Sequence, residues 1–162
     1  MNKNTGFTLI EVLIAMLIMA IGLLGLAGLQ ATGLNNNLSA YHRSQATQLA
    51  YDMTDRIRSN VADAGNTTTS TYITVDPTTA AVQADCTTVS TTCTSIDMAT
   101  NDLFLWNTAI SNTLPMGAGT ITVNGNVFSI TINWDDNRDG ILDSDSTNAT
   151  PDDPNFQMSF QL

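Results

Sequence analysis

The chain has 162 residues, enough for one domain and an accessory segment but too few for two ordinary domains. Acidic residues outnumber basic ones 15 to 5, and the resulting net charge of −10 excludes nucleic acid as a general partner, because binding a polyanion needs a basic surface. A single histidine, His42, argues against histidine-based catalysis and histidine-ligated zinc.

An apolar segment near the N-terminus predicts a membrane-spanning helix. Apolar residues and glycine run without a break from Val12 to Leu29, which is long enough to cross a bilayer core. The alternative is a secretory signal peptide, which has an apolar region of about 7–15 residues and a small residue three positions before its cleavage site. The run from Val12 to Leu29 is longer than such a region. We therefore predict a single transmembrane helix over about residues 7–34.

Glu11 lies one residue before this run, inside the layer that becomes hydrocarbon. A carboxylate costs about 2.5–3.5 kcal/mol at the centre of a transmembrane helix and less near its end, so such residues are usually retained for a function. The alternative interpretation is an interfacial glutamate with no special role.

The residues GFTLIE, from Gly6 to Glu11, resemble the prepilin signature of type IV pilins and type II secretion pseudopilins. The resemblance implies that residues 1–6 are a leader that prepilin peptidase removes by cutting between Gly6 and Phe7. It implies that the new N-terminal Phe7 is methylated and that Glu11 acts in subunit assembly. It also implies that Lys3 stays inside the cell and the rest of the chain outside, in agreement with the positive-inside rule.

The helix is predicted to continue to residue 60, because no proline occurs before Pro77. Asp52 and Arg56 form an i,i+4 pair on it. The predicted docking face for a globular domain consists of Leu38, Tyr41, Ala46, Leu49, Met53 and Ile57.

Two stretches narrow the resemblance to the PilV-type minor pilins of type IV pili. The first is residues 21–60, which contain RSQA, AYDM and DR at the spacing typical of that family. The second begins at Asp102-Leu103 and ends in Trp134-Asp135-Asp136. The resemblance fades over residues 61–95 and 140–154.

Residues 61–96 read as a connector rich in threonine and serine, with one short strand predicted around Tyr72 to Val75. Cys86 and Cys93 lie within it, and an extracytoplasmic location predicts a disulfide between them. Their spacing does not match a redox CxxC motif, and two cysteines are too few for a metal site.

Residues 97–162 are predicted to form a helix followed by an antiparallel sheet. The helix runs from Asp97 to Leu114 and is ended by Pro115. A hairpin follows, with the turn at Asn124-Gly125, so that Val123 pairs with Asn126 and Ile121 with Phe128. Apolar residues then alternate in a last strand at Phe156, Met158, Phe160 and Leu162.

One candidate metal site precedes that strand. Calcium loops use alternate oxygen-bearing residues and a glycine at the sharp turn. The candidate ligands are the side chains of Asp135, Asn137, Asp139 and Asp143 and the backbone carbonyl of Ile141. The twelfth position is Ser146 rather than the bidentate glutamate of an EF-hand, and a solvated acidic turn without calcium is the alternative.

The predicted architecture is the α+β type IV pilin fold, and the predicted function is a minor pilin of the type IV pilus. The implied partners are prepilin peptidase, other minor and major pilins, and the inner-membrane assembly machinery, with the C-terminal domain in the periplasm. A type II secretion pseudopilin is the nearest alternative, and a membrane-anchored calcium-binding adhesin is an alternative of another class. An enzyme is not favoured, because no nucleophile–base pair is evident and His42 lies on the predicted helix without an evident partner.

Overall fold

The computed structural model describes residues 8–87, 93–142 and 153–162. The chain divides into two compact units, Met1–Ala40 and Tyr41–Leu162. In chain order the elements are α1 Leu9–Ser59, α2 Val61–Ala64, α3 Thr71–Thr74, α4 Ala84–Thr87, α5 Ser95–Thr113, β1 Ala118–Asn124, β2 Val127–Asn133 and β3 Asn155–Gln161.

The first unit consists, in its described part, of the beginning of α1. All residues from 8 to 38 are exposed, including large apolar side chains such as Leu24, which is 74% exposed. Of the helices that the structure describes, α1 alone is long and apolar enough to cross a membrane. An apolar helix surface of this size needs a partner outside the described chain, and lipid or other apolar helices fit that need.

The second unit, Tyr41–Leu162, is called the head below. It is a three-stranded antiparallel sheet of order β1-β2-β3 with helices on one face. The central strand β2 alternates strictly, and it buries Phe128, Ile130 and Ile132. These side chains share one core with the C-terminal part of α1 and with α5. The long helix packed on a small antiparallel sheet confirms the predicted α+β architecture.

The face of α1 that enters this core differs from the predicted stripe. Tyr41 is 55% exposed and Leu38 is 36% exposed, so these two predictions are wrong. The small side chains of Ala46 and Ala50 are fully buried, which allows α5 to approach until Trp106 Nε1 donates a hydrogen bond of 2.9 Å to the Leu49 carbonyl. The residues of α1 that are buried are His42, Ala46, Ala50, Met53, Thr54 and Ile57.

The helix α5 begins two residues before the predicted start because a capping box fixes its N-terminus. The Thr94 side chain accepts from the Asp97 N–H, and the Asp97 side chain accepts from the Thr94 N–H. Such reciprocal bonds satisfy two backbone donors that a helix otherwise leaves free.

The predicted strand at Tyr72–Val75 is wrong, because Thr71–Thr74 forms the helical turn α3. The buried carboxylate of Asp63 accepts three hydrogen bonds of 2.8 Å, from the Ser70 hydroxyl and from the N–H and hydroxyl of Thr71. These bonds, with Ser70 as the N-cap, favour a helical turn over the extended conformation that β-branched residues predict. The connector also contains α2 and α4 where loop was predicted.

The β1–β2 hairpin forms as predicted, but its register differs. Asn124 pairs with Val127 and Val123 with Phe128, so the two loop residues are Gly125 and Asn126. Gly125 has φ of 61° whereas Asn126 does not have a positive φ, a pattern typical of a type II′ turn with glycine first. The predicted Asn124-Gly125 loop would need a positive φ at Asn124 in a type I′ turn. In the observed loop the residue with positive φ is Gly125, and Asn124 belongs to β1. The shift moves each partner by two residues and therefore leaves the buried face unchanged.

Candidate functional site

The N-terminal candidate site lies at the start of α1. Gly6 and Phe7 lie outside the described residues, and Glu11 stands in the first turn of the helix, where its N–H donates to the Thr8 carbonyl at 3.1 Å. A carboxylate in this turn interacts favourably with the positive end of the helix dipole. The described part of the chain supplies no ion pair to Glu11.

Glu11 also borders a shallow apolar groove on one face of the helix, which Val12, Ala15, Met16 and Met19 complete. Its carboxylate is therefore an isolated anion beside an apolar surface. This arrangement suits pairing with a cation from another molecule, because an unpaired charge in lipid is costly and a partner offsets that cost.

In the second unit, Asp102 of α5 joins two other helices. Its carboxylate accepts from Arg56 Nη1 at 2.9 Å and from the Tyr72 hydroxyl at 2.7 Å. Burial and the hydrogen bond to Asp102 both raise the pKa of Tyr72. Burial by itself lowers the pKa of Arg56, but hydrogen bonds to Asp52 and Asp102 outweigh this effect and raise it above the ordinary value. The cluster holds α1, α3 and α5 together and leaves no acid or base free for chemistry.

The sequence offered no partner for His42, and this prediction is wrong. His42 is buried, and its Nδ1 lies 3.2 Å from Asp136 Oδ1. The same oxygen accepts from Trp134 Nε1 at 3.1 Å. The three residues therefore connect α1 to the end of β2. The motif Trp134-Asp135-Asp136 is evident in the sequence, but the sequence provides no means of pairing it with His42, because His42 and Asp136 are 94 residues apart in the chain.

The candidate calcium loop closes on its own backbone. The side chain of Asp135 is 3% exposed, and its two oxygens accept from the N–H groups of Arg138 at 2.6 Å and Gly140 at 3.0 Å. Arg138 and Gly140 both have positive φ, 61° and 83°, which produces the sharp turns that bring these donors to the carboxylate.

The other candidate ligands form smaller turns in the same loop. Asn137 Oδ1 accepts from the Asp139 N–H at 2.8 Å, and Asp139 Oδ1 accepts from the Ile141 N–H at 2.9 Å. Asp143 lies outside the described residues. Within the described ranges, no group of three or more His, Cys, Asp or Glu side chains is placed to hold a metal ion. Calcium binding by the loop stays a prediction.

Cys86 and Cys93 form the predicted disulfide, with their Cα atoms 4.9 Å apart. Near it, the N–H of Gln83 donates to Asn101 Oδ1 of α5 at 3.2 Å. The disulfide closes a loop within the connector, and the hydrogen bond attaches the connector to α5. Both cysteines are in the disulfide, so neither is a free thiol.

Comparison with known families gives two matches that adjoin in the chain. Residues 1–27 match the prokaryotic N-terminal methylation motif, and residues 28–104 match type IV pilin Tt1218. None of the curated proteins or solved structures compared with the chain matches it. The first match contains Gly6, Phe7 and Glu11, and the second runs from the end of the apolar segment into α5.

Proposed function

We propose that this chain, which carries an N-terminal methylation motif and a type IV pilin domain, is a minor pilin that takes part in assembly of a type IV pilus. The observation that carries the proposal is that the motif leads directly into the pilin domain, along a helix that continues into an antiparallel α+β head. Type IV pilins are structural subunits rather than enzymes, and the buried ionisable cluster at Asp102 agrees with a structural role.

The PilV-type assignment within this proposal rests on the residues quoted from the sequence. Ala46, Ala50 and Met53, which belong to the matching stretches, are fully buried in the head. Trp134 is fully buried too, and Asp136 contacts His42. The matching residues thus include those that attach the sheet to α1. This supports the proposal that the head has the same architecture as in the PilV-type family. The proposed partners are prepilin peptidase, other minor and major pilins, and the inner-membrane assembly machinery.

The proposed location is the bacterial inner membrane, crossed once by α1 with the head in the periplasm, and then the assembled pilus. The exposed apolar helix at the N-terminus and the methylation motif support this location. Cleavage after Gly6 removes Lys3, so the mature chain has a formal charge of −10 − 1 = −11, ignoring termini.

Assembly is proposed to use the charge of Glu11. Removal of the leader creates an amine on Phe7, and in a staggered bundle of parallel helices the amine of one subunit can meet the carboxylate of another. Each charge is costly alone in lipid, and pairing offsets much of that cost. The pair therefore sets the axial register of subunits as they join.

Replacement of Glu11 tests the proposal. We expect Glu11→Ala to insert into the membrane and to be cleaved after Gly6, but to co-purify with the other minor pilins at less than roughly a fifth of the wild-type level, as loss of about 1 kcal/mol implies. Gln30→Ala, an exposed polar residue of the same helix, is the matched control and should assemble normally. Wild-type recovery of Glu11→Ala in the complex would contradict an assembly role.

The two alternatives make different predictions. A type II secretion pseudopilin is expected to be encoded beside secretion genes rather than minor pilin genes. A membrane-anchored calcium-binding adhesin is expected to retain residues 1–6 and to bind calcium through the loop that begins at Asp135.

A further inference from the structure

The two edges of the sheet differ. In the sheet order β1-β2-β3, α3 lies close to β1, whereas among the described elements only β2 pairs with β3. The loop between β1 and β2 has two residues, so Asn124 and Val127 exchange both of their backbone hydrogen bonds. Because this direction alternates along a strand, Phe128 and every second residue after it in β2 direct their N–H and C=O to β3.

The outer edge of β3 carries unpaired backbone groups. The residues of β3 that face those of β2 just described are Phe160, Met158 and Phe156. The alternate residues therefore direct their N–H and C=O away from β2, and they are Asn155, Gln157, Ser159 and Gln161. All four are exposed, and across the described residues none of these outward backbone groups has a hydrogen-bond partner. This edge is open to another strand.

The strand β3 lacks the features that usually protect an open edge. Asn155–Gln161 is seven residues long and contains neither a charged residue nor a proline, which are the residues that prevent edge-to-edge pairing in many sheets. Two of its apolar side chains on the core face, Phe156 and Met158, are only half-buried. A strand added here would satisfy the backbone groups and cover these two side chains.

The sequence of β3 is complementary to itself in one antiparallel register. When Met158 of two copies lies at the centre, every outward-facing residue joins a hydrogen-bonded pair with an outward-facing residue of the second copy. The opposed pairs are then Asn155 with Gln161, Gln157 with Ser159, Phe156 with Phe160, and Met158 with itself. The pairs on the solvent face are neutral hydrogen-bonding groups, those on the core face are apolar, and no like charges meet, so the cross-strand pairs favour association.

We propose that two copies of this chain associate by antiparallel pairing of their β3 strands about a two-fold axis at Met158, which joins their two sheets into one. A two-fold interface must be self-complementary, and β3 meets this condition. The axis is perpendicular to the sheet, so the head segment of α1, from Tyr41 to Ser59, runs in opposite directions in the two copies. Given the proposed location, such a pair joins copies from two different membranes or fibres. The pairing itself does not depend on the minor-pilin assignment.

Cysteine variants test the register on the full-length protein in detergent micelles. Hydrogen-bonded pairs in an antiparallel sheet have Cα atoms about 5.5 Å apart, within the reach of a disulfide. We expect a mixture of Gln157→Cys and Ser159→Cys copies to form a disulfide-linked dimer on mild oxidation, with a yield several-fold above that of either variant alone. In the control mixture, Thr120→Cys at an exposed position of β1 replaces Ser159→Cys and should give no such increase. Equal yields in both mixtures would overturn the proposal.

A proline variant separates pairing of β3 from association through α1. The N–H of Gln157 points away from β2, so Gln157→Pro keeps the sheet of each copy but removes a donor that the second copy needs. The matched control Gln157→Ala keeps this N–H. We expect the wild type and Gln157→Ala to dimerise as protein concentration rises, and folded Gln157→Pro to dimerise several-fold more weakly, as measured by sedimentation in density-matched micelles.

Thermal unfolding shows whether the proline variant is folded. A wild type that stays monomeric at every concentration, or a folded Gln157→Pro that dimerises like the wild type, would contradict pairing through β3. If Gln157→Pro does not fold, the cysteine mixtures decide.

Discussion

Tyr72 makes the stability of the head depend on pH in the alkaline range. The residue is 1% exposed and its hydroxyl donates a hydrogen bond to Asp102, so burial and the neighbouring carboxylate raise the pKa of that hydroxyl far above the ordinary value of about 10. Because the folded-state pKa is raised, the stabilising contribution is complete below the unfolded pKa. It is lost as pH rises above that value.

We expect the free energy of unfolding to fall above about pH 10, by up to about 1.4 kcal/mol per pH unit. An absorbance titration of tyrosinate provides the measurement. Tyr72 is 1% exposed, so we expect it to ionise only as the head unfolds. Ionisation of Tyr72 while the head is still folded would contradict the buried contact with Asp102.

Individual contacts were predictable from the sequence when the partners were close in the chain. The Asp52–Arg56 pair was predicted from its i,i+4 spacing, and it forms at 2.8 Å. The contacts of Arg56 with Asp102 and of His42 with Asp136 were not predicted, because helix spacing says nothing about residues 46 and 94 positions away. Such partners are determined only when the elements pack.

At the scale of elements, apolar periodicity predicted α5 and the three strands well, because a buried face determines the period of the pattern. The prediction failed at α3, where the carboxylate of Asp63 decides the local conformation of β-branched residues. It also misplaced the turn at Gly125 by one residue, because Asn-Gly and Gly-Asn loops are both compatible with the same alternation.

The loop after β2 depends on Asp135, whose carboxylate binds two backbone N–H groups. We expect Asp135→Ala to destabilise the head by about 1–3 kcal/mol, because these donors lose their acceptor in a buried position. Asp139→Ala, an exposed residue of the same loop, should cost less than about 0.5 kcal/mol. Denaturant unfolding in the presence of a chelator measures both, and equal effects would contradict the role assigned to Asp135.

The variant Asp139→Ala also tests the predicted calcium site. A site of this kind should bind with a dissociation constant of about 10⁻⁴–10⁻³ M, as in extracellular modules. Millimolar calcium should then raise the melting temperature of the wild type but not that of Asp139→Ala. An unchanged melting temperature of the wild type would favour the solvated acidic turn.

At the scale of the whole molecule, the sequence is divided between two environments. Residues 8–38 expose apolar side chains throughout, whereas the head buries a mixed apolar core and carries most of the acidic residues. The helix α1 ends at Ser59, and α5 begins at Ser95. Composition made this division predictable, since an apolar run this long cannot be solvated.

Cleavage between Gly6 and Phe7, which is part of the proposed function, is tested by substitution at position 6. The peptidase must reach backbone at the membrane surface, and a side chain at position 6 obstructs it, so we expect Gly6→Val to keep its leader whereas Thr5→Val, the adjacent control, is cleaved normally. N-terminal sequencing of the membrane form should give Phe7 for the wild type and for the control. Uncleaved Gly6→Val keeps the leader with Lys3, so the free amine of Phe7 is not formed. We therefore expect this variant to be absent from the minor-pilin complex even though its head folds as in the wild type. A mature wild-type chain that begins anywhere other than Phe7 would contradict the processing and support the adhesin alternative.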